Sequence, residues 1–142
     1  MKLEPVEPEG WEPPSGYSNG MIAPPGARLV FVAGQIAWDA DQVLVGKDDF
    51  AAQFRQALAN VLAVVDAAGG EPSHLASLTV FVKDKRAYLA EAAALGAAYR
   101  EVIGRHYPAM TAIQVGALIE DAALVEIEAT AVVPFPQVAD RP

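Results

Sequence analysis

From Val125 to Val133 the chain alternates. Val125, Ile127, Ala129, Ala131 and Val133 fall on one side, and Glu126, Glu128, Thr130 and Val132 on the other. A period of two is the pattern of a strand lying on a sheet with one face toward a core. Over 48–70 the period lengthens. Phe50, Phe54, Ala57, Leu58, Val61, Leu62 and Val65 make one apolar stripe at helical spacing. Asp48 or Asp49 can cap that helix, and Gly69-Gly70 can supply its left-handed exit. A second helix is predicted over 85–103, capped by Asp84, stopped by Gly104, with a stripe of Tyr88, Ala92, Leu95, Tyr99 and Val102. Apolar, β-branched runs predict further strands over 27–38, 74–84, 110–118 and 123–133. The first of these reads as buried on both faces at its centre. Pro24-Pro25-Gly26 predicts a tight turn, so that residues 17–23 can pair with 27–38 as a hairpin.

These elements run in the order β(β)αβαββ, with a hairpin closing the chain. Two helices against about six strands predict an α+β fold: a single mixed sheet with both helices on one face. The other face is then bare, and unless it is strongly polar it must meet another subunit. Residues 1–15, rich in proline and glutamate, are expected to form an extended or loosely docked arm. Residues 16–134 form the one expected domain and 135–142 a short tail.

Composition narrows the chemistry. With 142 residues, 53% of them hydrophobic, the chain can bury a real core, and alanine favours close helix-on-sheet contact. A net charge of −8 argues against nucleic acid or an anionic membrane as partner, since both require a cationic footprint. Lys83, Lys85 and Arg86 form the densest basic group, which suits a solvated helix start. Without cysteine there is no thiolate chemistry and no zinc–thiolate site. The N-terminus lacks the apolar stretch of a signal peptide, and no apolar run reaches the roughly 18 residues of a membrane span. A soluble cytoplasmic protein is the expectation.

Four places could carry function, each with a plain structural alternative. Glu126 and Glu128 share a strand face about 7 Å apart; such a pair can do acid–base work, or can simply be solvated. Gly34, inside an apolar strand, marks either a bulge or a close approach to backbone. Tyr17, in "SGYSNG", can donate a hydrogen bond in a pocket or stand in an exposed loop. His74 and His106 are far apart with no second ligand at metal spacing, so no metal is expected; His106 also suits a helix C-terminus.

Taken together, "GYSNG", "LVFVAGQIAWD", "HLASLTVFVKD", "YPAMTAIQV" and "ALVEIEATAVV", in this order around two helices, resemble the Rid (YjgF-like) family over about 16–134. The resemblance implies a chorismate-mutase-like fold and a homotrimer with an inner barrel of sheets, helices outside, and ligand clefts between subunits. It implies hydrolysis of enamines and imines to a carbonyl compound and ammonia, without cofactor. Carried onto this chain, Glu126 would position or activate water. Gly34, the residue at 110 and the backbone of Ala112 would line the cleft, with Tyr17 reaching in from the neighbouring subunit. Two residues depart from the deaminase branch. Met110 stands where that branch has the arginine that clamps a substrate carboxylate, and Gly96 where it has asparagine. A thioether cannot replace a bidentate guanidinium. Either the substrate is atypical, or another cation enters the cleft, with Arg28, Arg55 and Arg105 as candidates, or the chain is a non-catalytic small-molecule-binding trimer.

Overall fold

A computed structural model describes residues 1–136, so most of the expected 135–142 tail lies outside the described residues. Asp49 opens the first helix, its carboxylate accepting from Ala52 N–H, and α1 runs Phe50–Ala67. Gly69 then takes φ 83°, the left-handed turn that glycine adopts without steric cost. The stripe predicted from spacing is the face α1 buries: Phe50, Phe54, Ala57, Leu58, Val61 and Val65 are all inside.

They pack on a four-stranded sheet of β3 (Arg28–Gln35), β4 (Leu75–Val82), β5 (Ala109–Gln114) and β6 (Val125–Val133). The strand order is β3-β6-β4-β5, with β4 and β5 parallel and the other pairs antiparallel. Val125, Ile127, Ala131 and Val133 are fully buried against the helices, as their alternation requires. The valines and the isoleucine each contribute about 1.5–3 kcal/mol when removed from water.

Five expectations are corrected. The sheet has four strands, not six. β2 (Gly20–Ile22) forms a separate antiparallel pair with β1 (Glu4–Val6), so residues 17–23 do not pair with β3. Pro24 and Pro25 offer no N–H for a ladder and Gly26 turns at φ 77°, which separates the two. β5 and β6 form no closing hairpin: β5 returns by a helical crossover to lie parallel to β4, and β6 slots between β3 and β4. The second helix is broken at Glu91 into α2 (Lys85–Ala90) and α3 (Ala92–Val102). Glu91 N–H still donates to Ala87 O and Leu95 N–H to Glu91 O, so the chain bends there rather than stopping. Neither proline nor glycine marks the bend, and the apolar period runs through it. Finally, the centre of β3 is covered on one face only: Val32 is buried while Leu29 and Phe31 are 59% and 76% exposed.

The face of the sheet away from the helices is therefore bare, with Leu29, Phe31 and Ile113 standing out from it. No helix among the described residues is long and apolar enough to cross a membrane.

Candidate functional site

β3 and β6 bring Gly34 and Glu126 together. Their antiparallel pairing sets Val32 opposite Ala129 and Gln35 opposite Ile127, a one-residue shift that marks a bulge at Ala33-Gly34. The Glu126 side chain lies across Gly34. A Cβ on Gly34 would collide with Glu126 Oε1 and stand 2.9 Å from its carboxyl carbon. This glycine thus answers to a close approach as well as to the bulge. The backbone just beyond is clamped from α1, since Asn60 Nδ2 donates to Ile36 O and Trp38 O at 2.9 and 2.7 Å. Glu128 lies on the same bare face, two residues along β6, beside Phe31 and Thr79.

The other predicted residues meet elsewhere. Ser18 is the anchor: its N–H donates to Pro108 O at 3.0 Å and its hydroxyl to Tyr107 O at 2.6 Å. It bridges to Ala109 at the start of β5. Gly16, at φ 77°, turns the chain into this contact. Tyr17 is thereby held at the outer edge of the sheet, where it lines one cavity of about 260 Å³ with Met110, Ala112 and Tyr88. β5 is an edge strand, so one row of its backbone N–H and C=O groups is left unpaired by the sheet. Met110 lies in register with buried Leu78 and packs against the core, on the helix side.

One chain thus divides the predicted site. Tyr17, Met110 and Ala112 come together at the β5 edge, while Glu126 lies on the bare face two strands away, roughly 10 Å across the sheet, and Gly34 one strand further, on β3.

A second cavity, of about 340 Å³, adjoins the first across Met110 and shares Ser15, Gly16 and Tyr88 with it. Its walls are Tyr88, Tyr99, Tyr107 and Phe54, and it contains Arg100 and Gly96. Tyr99 and Tyr107 stack with ring centroids 5.6 Å apart. Tyr99 donates its hydroxyl proton to His106 O at 2.5 Å. Burial, and then the neighbouring Tyr107, push its phenol well above the usual tyrosine range, so it stays a neutral donor.

Of the cations considered, Arg28 donates to Ala68 O and Pro134 O and lies over the Phe135 ring, and Arg55 pairs with Glu101 at 2.8 Å. Arg105 lines neither cavity, whereas Arg100, which sequence reasoning passed over, lines the larger. Both histidines serve the backbone: His74 Nδ1 accepts from Glu71 N–H at 3.0 Å, and His106 Nε2 lies 2.7 Å from Leu75 O.

Comparison with known proteins converges on one family. The family model for Endoribonuclease L-PSP matches residues 10–133. A RutC family protein of Pyrococcus horikoshii is 34% identical over 84% of this chain and 89% of its own length. A Salmonella typhimurium protein named 2-iminobutanoate/2-iminopropanoate deaminase is 38% identical over 73% of this chain and 79% of its own. Among solved structures, a Rid-family protein of unknown function from Yersinia pestis superposes with TM-score 0.80 at 35% identity, covering 94% of this chain and all of that one. The YjgF gene product of Escherichia coli superposes with TM-score 0.63 at 34% identity, covering 82% and 87%. The chain belongs to the Rid family, also described as Endoribonuclease L-PSP.

Proposed function

We propose that this protein is an enamine/imine deaminase. It hydrolyses a reactive C=N compound to a carbonyl compound and ammonia, at clefts between the subunits of a homotrimer, in the cytoplasm. The observation that carries the reading is the Glu126 carboxylate lying across Gly34, which leaves the carboxylate in place on an otherwise uncovered sheet face. The likeness to a named iminobutanoate/iminopropanoate deaminase supports the reaction class.

The chemistry asks little. Glu126 takes a proton from water while the oxygen attacks the C=N carbon and the nitrogen is protonated. The resulting carbinolamine returns its hydroxyl proton and expels ammonia, leaving C=O; the sum is imine plus water to carbonyl plus ammonia. An enamine first takes a proton at carbon. A placed base and an oriented electrophile supply most of what such a step needs. Tyr17 and the edge backbone at Ala112 would orient the substrate. They lie at the β5 edge of the sheet, two strands from Glu126, and in this reading a neighbouring copy completes the cleft. Leu29, Phe31 and Ile113 offer the apolar surface for that assembly.

Met110 sets the substrate apart. Without the arginine clamp, a short 2-imino acid loses a bidentate partner, a loss of about 2–5 kcal/mol for a desolvated charge pair. The substrate is therefore atypical for the deaminase branch. The same methionine favours the second reading, a trimer that binds a small molecule without turning it over. Ammonia release from a panel of imines made in situ, by the natural chain and Glu126→Gln, decides between them. Glu126-dependent release establishes the deaminase. A ligand that raises Tm without any turnover establishes the binder. RNA cleavage, which the family's description suggests, is disfavoured by the net charge of −8.

A further inference from the structure

Met110 and Gly96, the two positions at which the resemblance implies a departure from the deaminase branch, line one cavity, and the same cavity holds Arg100. Gly96 and Arg100 are one helical turn apart on α3, the spacing at which side chains meet. The Arg100 guanidinium folds back over the glycine: a methyl group placed on Gly96 would come within 3.2 Å of Arg100 Nη1. An alanine there would push the guanidinium back by a few tenths of an ångström, so Gly96 lets the charge sit close over the helix. Arg100 has no ion-pair or hydrogen-bond partner among the described residues. The nearby phenol of Tyr99 is committed to His106 O, leaving the walls mainly aromatic. Met110 stands where this cavity meets the one holding Tyr17 and Ala112.

We infer that Met110 opens the ligand cleft onto a second, aromatic-walled pocket in which Arg100, seated over Gly96, receives the carboxylate of a flat, apolar acid. This deepens the deaminase reading and rests on its placing the cleft beside Tyr17 and Ala112. Its physical basis is threefold. A volume of about 340 Å³ falls in the range of small-molecule sites. Aromatic walls and a thioether favour planar apolar bodies. A free guanidinium matches a carboxylate in two parallel hydrogen bonds. The clamp has moved from the mouth of the cleft to its far end, and the accepted acid is longer by the breadth of the aromatic pocket.

Calorimetric titration of the full chain with trans-cinnamate, neutral cinnamamide and acetate tests this. Cinnamate should bind about tenfold or more tightly than either of the others, the difference expected of a hydrogen bond to a charged group. Arg100→Gln should abolish the advantage of cinnamate over cinnamamide while leaving the Tm near its natural value, because Arg100 is exposed. Gly96→Ala should weaken cinnamate and yet raise the Tm, since alanine is the better helix former. Undetectable cinnamate binding at millimolar concentration, or equal affinity in the natural chain and Arg100→Gln, would overturn the inference. The outcome is separable from that of the deaminase assay. Arg100-dependent binding without any imine hydrolysis removes the deaminase and leaves the pocket. Imine hydrolysis with Arg100-independent binding removes the pocket and leaves the deaminase.

Discussion

Gly34 and Glu126 meet because a bulge in β3 shifts the register against β6 by one residue. Gly34→Ala would place a methyl group in the carboxylate's space. The far end of a glutamate can yield, so Tm should change by no more than a few degrees. The base would be displaced, and misplacement of a reacting group by about 1 Å can lower turnover by roughly a hundredfold. Steady-state ammonia release beside a melting curve checks both halves. Tyr99 carries a pH dependence. Its neutral phenol belongs to the folded state, and its folded pKa lies above the unfolded value near 10, so the stabilisation is complete below about pH 10 and fades as pH rises beyond it. Tyr99→Phe should be less stable near pH 8, where it lacks the bond to His106 O, with the difference narrowing toward pH 11 in denaturant titrations. At this scale the sequence revealed the candidates but not their company. Glu126 and Gly34 were each legible as unusual, one by strand alternation and one as a glycine in an apolar run. Their contact required the strand register. Arg100 was invisible, because an arginine on an exposed helical turn looks like any other until the fold sets it over a glycine one turn earlier, at the wall of a cavity.

Helix α1 was legible from end to end because its cap, its stripe and its glycine exit all agree. The break between α2 and α3 was not, since alanine-rich sequence runs through it without a breaker. The neighbours of β5 and β6 were also hidden. Period and length do not distinguish a hairpin from a crossover once the connecting loop is long. Gln53 is the polar exception within the α1 stripe and ties these elements together. It is fully buried, its amide donates to Gly46 O and Ala122 O at 3.1 Å each, and its carbonyl accepts from Leu124 N–H at 2.8 Å. It thus fastens the approach to α1 and the approach to β6, the strand that carries Glu126. Gln53→Met keeps the volume and strands three buried backbone groups. Since one unsatisfied group costs about 1–3 kcal/mol, the loss should be on the order of 3 kcal/mol or more. That corresponds to a fall in Tm of roughly 6–12 °C. A melting curve that moves by less than a degree would show those loops to be held by something else.

On the scale of the whole molecule, the bare sheet face was anticipated by counting helices against strands, and the exposure of Leu29 and Phe31 bears on what covers it. A trimer that buries this face should come apart when Phe31 is replaced by glutamate, with helix and strand content unchanged. Sedimentation of the natural chain and Phe31→Glu at equal concentration tests that, and a natural chain that sediments as a monomer would contradict it. Assembly matters here because one chain holds its predicted site in two parts, one at the β5 edge of the sheet and one on its bare face. The family account joins those parts only between subunits. The most direct test of the account is ammonia release from the imine of phenylpyruvate, generated continuously from phenylalanine by an amino-acid oxidase. The natural chain and Glu126→Gln would be assayed side by side. The account predicts release well above the spontaneous rate in the natural chain and near that rate in Glu126→Gln. Equal rates in the two, whether fast or spontaneous, would contradict the assignment of Glu126 as the base that activates water.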